Sequence, residues 1–113
     1  NNFYNFYINN LSHLDWINLP TKENDNIILN YFTLTVSPRI RNKLLSYLNQ
    51  HQIGASIYYK KPIHLQKAVL ERYKKISMKK TEKISKSVIS LPFYSFPKNH
   101  ELEYLIATIK KFK

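Results

Sequence analysis

The chain has 113 residues, no cysteine, a single glycine and a formal net charge of +11. That length suits one domain with one core and is too short for a two-lobed active site. The lack of cysteine excludes disulfides and thiolate zinc sites, and one glycine excludes a glycine-rich phosphate loop.

In chain order, Phe3, Tyr4, Phe6, Tyr7, Leu11 and Leu14 recur at near-helical spacing, which predicts a first helix ending near Asn10 to Ser12. Leu19-Pro20 and the polar run Thr21 to Asn26 predict a loop. Ile27 to Val36 reads as a strand. Ile28, Phe32, Leu34 and Val36 share one face, and Tyr31, Thr33 and Thr35 the other. Ser37 as N-cap and Pro38 at the first helical position open a second helix, with Ile40, Leu44, Tyr47 and Leu48 on one face. It should stop before Gly54, read as a left-handed cap.

Ala55 to Tyr59 reads as a second strand ended by Pro62, and His64 to Tyr73 as a short helix. Lys74 to Lys80 is expected to be an exposed loop, with Thr81 capping a helix that carries Ile84, Val88 and Ile89. Leu91-Pro92 breaks that helix and Pro97 marks a turn. Asn99 caps a last helix with Leu102, Leu105, Ile106 and Ile109 inward and Lys110, Lys111 and Lys113 at its C-terminal end. The order predicts an α+β fold, a short sheet with helices packed on it.

Charge is unevenly placed. Residues 60–86 hold most of the excess cations, with only Glu71 and Glu82 to offset them. Arg39, Arg41 and Arg72 are the only arginines. Because arginine grips phosphates and bases bidentately, the lysine bias reads as a solvated face rather than a nucleic-acid surface. His13, His51, His64 and His100 make no metal-ligand spacing, and the scattered carboxylates suggest no acid–base pair. No apolar run approaches the roughly 18 residues of a membrane span, and residues 1–10 do not resemble a signal peptide, so a cytoplasmic location is expected. Asn1 is not a usual translation start, which suggests a piece of a longer protein.

Two stretches carry more specific information. Gln52-Ile53-Gly54 at a helix end is followed by Ala55 to Lys61 and then by Pro62-Ile63-His64-Leu65-Gln66. Further on, Thr81-Glu82-Lys83-Ile84-Ser85 leads into Val88-Ile89-Ser90-Leu91-Pro92-Phe93-Tyr94. These resemble, in order and spacing, two motifs of the DegT/DnrJ/EryC1/StrS sugar aminotransferases, from about Tyr31 to the C-terminus. The resemblance implies the small C-terminal domain of the aspartate aminotransferase-like (fold type I) fold, spanning residues 1–113, with the large cofactor-binding domain absent.

The resemblance further implies pyridoxal phosphate in the intact parent enzyme and none on this chain alone. It implies a homodimer, and amino transfer, from glutamate, to a nucleotide-linked keto sugar for polysaccharide or glycan synthesis. Tyr58, Tyr59, His64 and Gln66 are the candidate substrate-binding residues; no catalytic or metal-binding residue is assigned. Tyr58 stands where the family usually has histidine. A phenol can hydrogen-bond a sugar or phosphate but carries no cation near neutral pH. The same residues also have a structural reading, the tyrosines packing a strand and His64 and Gln66 capping a turn. Two other readings of the whole chain stay open: a stand-alone basic module for nucleic acid or acidic partners, and a truncated non-catalytic relic.

Overall fold

A computed structural model describes residues 2–22, 29–94 and 97–113. Its elements are α1 (Asn2–Leu11), β1 (Ile17–Asn18), β2 (Phe32–Val36), α2 (Pro38–Gln50), a 3-10 turn (Ile63–Leu65), α3 (Lys67–Leu70), α4 (Lys79–Ser85), β3 (Val88–Leu91) and α5 (Asn99–Lys111). The three strands form an antiparallel sheet with β2 in the middle. Ile27 and Ile28, expected at the start of the β2 strand, lie outside the described residues.

The alternation in β2 sets the two faces of the sheet. Phe32, Leu34 and Val36 are buried with Ile89 and Leu91 of β3, against Phe3, Tyr7 and Leu11 of α1, Leu44 and Leu48 of α2, and Leu105, Ile106 and Ile109 of α5. The Tyr7 ring stacks on Phe32 at 4.3 Å, and Phe3 stacks on Phe93 at 5.4 Å. The buried Tyr7 hydroxyl donates to the Pro92 carbonyl at 2.7 Å, which satisfies a group that would otherwise be costly inside the core. Burial, with nearby Tyr94, pushes this phenol far above its ordinary pKa.

The second helix follows the sequence expectation: Ser37 Oγ accepts from the Arg39 N–H and Pro38 opens the helix. The left-handed residue at its end is Gln52, at φ 62°, and not Gly54, whose φ is not positive. The chain therefore reverses two residues earlier than the glycine suggested.

Ala55 to Tyr59 is not a strand. Only Ser56 pairs, exchanging two backbone hydrogen bonds with Ser90 (3.0 and 2.7 Å) along the outer edge of β3. The expected helix from His64 to Tyr73 is split into the 3-10 turn and α3, because Gln66 is extended (φ −72°, ψ 143°). α4 starts at Lys79 with Met78 at its cap, so Thr81 is inside the helix and the exposed loop ends at Met78.

The largest departure lies downstream. α4 ends at Ser85, and Val88 and Ile89 belong to β3. A short apolar run buried on both sides does not distinguish helix from strand by periodicity alone. Here β2 supplies the ladder, and all four β3 residues are buried. α5 forms where expected, but its cap is Lys98 and not Asn99, which is the first residue of the helix.

Candidate substrate groove

The sheet face away from the helical core presents Thr33, Thr35, Val88 and Ser90, which share one side by register. Thr33 and Ser90 hydroxyls hydrogen-bond across the strands at 2.7 Å. The Ser56–Ser90 bridge brings the following segment, Tyr58 to Gln66, alongside β3, and α4 closes the other side. Between them runs an open groove of about 800 Å³.

All four candidate residues, Tyr58, Tyr59, His64 and Gln66, line this groove, with Ile63, Met78, Thr81, Ile84, Ser85 and Val88 among the other walls. Tyr59 is 74% exposed and Ile63 75%, so large apolar surfaces face outward at the rim. Tyr58 leans on Tyr31, ring centroids 4.6 Å apart, a contact that sequence reasoning missed. The alternation that put Tyr31 on the Thr33 face was the available signal.

His64 is buried, 8% exposed, and its Nε2 has no hydrogen-bond partner among the described residues. The nearest acid is Glu82 of α4, whose Oε1 lies 3.4 Å away. This pairing ties the 3-10 turn to α4 and was also missed, since Glu82 sits well downstream. Gln66 Nε2 donates to the Lys61 carbonyl at 3.4 Å, holding the turn closed. Lys61 is the one lysine among the lining residues, and no carboxylate lines the groove among the described residues.

Behind the groove, Arg41 of α2 fixes its back wall. Arg41 is 7% exposed and has no carboxylate partner among the described residues. Its Nη1 donates to the carbonyls of Ser85 (2.7 Å) and Val88 (3.1 Å), and its Nε donates to Asn42 Oδ1 (2.8 Å). Burial lowers its pKa from the ordinary arginine value. A cation on the last carbonyl of α4 satisfies a group that a helix end leaves open.

An antiparallel sheet covered by helices on one face, with a groove beside its edge strand, is the α+β architecture of the aspartate aminotransferase-like small-domain fold. The DegT/DnrJ/EryC1/StrS aminotransferase family model matches residues 1–110, and the chain belongs to that family. The chain is similar in structure to Bacillus subtilis NtdA, solved with bound cofactor PMP. The two are 24% identical with a TM-score of 0.85, over 96% of this chain and 26% of that one. It is similar to DesV of S. venezuelae at 23% identity and a TM-score of 0.86, over 98% of this chain and 30% of that one. The pleiotropic regulatory protein of Geobacillus stearothermophilus is 29% identical over 79 residues, 69% of this chain and 21% of that protein. The chain thus spans under a third of the length of each.

The family implies pyridoxal phosphate, which needs an amine to hold its aldehyde, an anion facing its ring nitrogen and donors around its phosphate. Among the described residues every lysine is exposed except half-buried Lys22, and the groove offers no carboxylate. These residues do not fit the cofactor on their own, and no step through it is assigned to them.

Proposed function

We propose that this chain is the C-terminal small domain of a pyridoxal-phosphate-dependent aminotransferase that moves an amino group, from glutamate, to a nucleotide-linked keto sugar for polysaccharide or glycan synthesis. The observation that carries this reading is convergence. Two separate stretches, 58–66 and 78–88, line one groove, and its rim holds two outward-facing tyrosines. In this reading the Tyr58 and Tyr59 phenols hydrogen-bond sugar or phosphate oxygens. His64 and Gln66 hold the turn that aims them, and the apolar walls exclude water.

The cofactor supplies an electron sink when bound, and it belongs to the large domain of the parent enzyme. The exposed Tyr31, Tyr58, Tyr59, Ile63, Met78 and Ile84 are the surface that this domain covers. The chain on its own is inactive and holds no cofactor. The working enzyme is a homodimer in the cytoplasm; no helix among the described residues is long and apolar enough to cross a membrane. The clustered apolar rim favours this reading over a stand-alone basic module, for which a polar surface is expected.

The test is an NMR titration of the chain with a nucleotide-linked sugar. Shifts should centre on Tyr58, Tyr59 and the 62–66 turn, and Tyr59→Phe should weaken binding about three- to tenfold, the worth of one hydrogen bond. Shifts that spare residues 58–66, or an affinity indifferent to Tyr59→Phe and Tyr58→Phe together, contradict the assignment.

A further inference from the structure

On its other side, α4 borders a second groove, of about 770 Å³. That volume falls within the roughly 300–1,000 Å³ of small-molecule sites. Trp16, Val36, Ile40 and Ile84 form its apolar floor, and the Trp16 ring rests against Phe112 with centroids 5.6 Å apart. Lys80, Lys83 and Lys113 line it against a single acid, Asp15.

Two features separate this arrangement from a solvated lysine face. Lys80 and Lys83 stand three residues apart on one side of α4, and the only acid of that helix, Glu82, turns the opposite way to His64 at 3.4 Å. The lysines are thus left without a carboxylate partner among the described residues, beside an indole. Uncharged donors are also at hand. Asn18 and Thr35 line the groove, and Ser37 Oγ, which accepts from the Arg39 N–H, keeps its own proton to donate. Ser87 Oγ instead donates to the Lys83 carbonyl at 3.1 Å.

We propose that this second groove binds a nucleoside monophosphate, with the phosphate on the lysines and the base on Trp16. Lysine meets phosphate as a point charge and needs no bidentate geometry, and an indole face accepts a planar base by stacking. The site shares only Ile84 with the tyrosine groove and does not depend on the aminotransferase reading.

Trp16 is the only tryptophan in the chain, so its fluorescence reports on this groove directly. Adenosine 5′-monophosphate should quench it saturably, and inorganic phosphate should compete more weakly. The double variant Lys80→Gln with Lys83→Gln should bind about tenfold more weakly. Both side chains are exposed, so the fold is kept. Lys74→Gln with Lys75→Gln removes the same charge outside the groove and should leave the affinity within about twofold. Three outcomes overturn the proposal: no saturable quenching up to about 5 mM, an equal loss in the control pair, or inorganic phosphate binding as tightly as the nucleotide.

Discussion

Arg41 is buried with no counter-ion among the described residues, and its value lies in the carbonyls it satisfies. Arg41→Met keeps much of the volume but strands the Ser85 and Val88 carbonyls at the junction of α4 and β3. The expected cost is about 2–4 kcal/mol in urea unfolding; an unchanged midpoint contradicts this account of the junction. Glu101 works at the other end of the fold. Its carboxylate accepts from the Lys98 N–H at 3.1 Å and the Tyr94 hydroxyl at 3.0 Å. The Lys98 backbone bond first, then Tyr94, holds its pKa below the ordinary carboxylate value. A lowered folded pKa means a contribution fully present above the unfolded value of about 4.3 and lost as pH falls through the folded one. Glu101→Gln should therefore flatten the acid limb of stability, read as urea midpoints between roughly pH 6 and pH 3. An acid limb as steep as that of the unsubstituted chain contradicts this. Neither role was legible in the sequence: Arg41 reads there as one more surface cation on a helix, and Glu101 only as an acid near a helix start.

Element by element, the sequence was informative where a local signal decides the structure. Ser37-Pro38 opens α2 because a capping hydroxyl and a proline with no N–H both suit a helix start. The alternation of Phe32, Leu34 and Val36 sorts the faces of β2 because one face is buried. Sequence reasoning failed where partners across the fold decide. Val88 to Leu91 is a strand because β2 lies beside it, and Ser56 pairs only because Ser90 is within reach. The end of α2 offers a direct check. Gln52 occupies the left-handed region, so Gln52→Gly should stabilise the chain by about 0.5–1 kcal/mol. Gly54 has open space where a Cβ would sit and no positive φ, so Gly54→Ala should be neutral or stabilising by up to about 1 kcal/mol. Thermal unfolding of the two variants measures this; destabilisation by Gly54→Ala with no gain from Gln52→Gly would restore Gly54 as the cap.

At the scale of the whole molecule, cations and apolar side chains are segregated. Lysines dominate the solvated surface, while the groove beside β3 is walled by tyrosine, isoleucine, methionine and valine. A net charge of +11 favours solubility, while the rim from Tyr58 to Ile84 leaves large apolar side chains exposed. Tyr58, Tyr59 and Pro62 to Gln66 marked one wall of that groove in the sequence because their order and spacing follow a family pattern, while the wall from α4 was not marked. Its depth, the Tyr31 contact and the His64–Glu82 pair were not legible, since they arise from how distant segments meet. The central claim is that a cofactor-bearing domain precedes these residues in the parent protein. The most direct measurement is the sequence of the coding DNA immediately upstream of the Asn1 codon. The account predicts an in-frame large domain carrying a cofactor lysine; a stop codon or unrelated sequence there would contradict it.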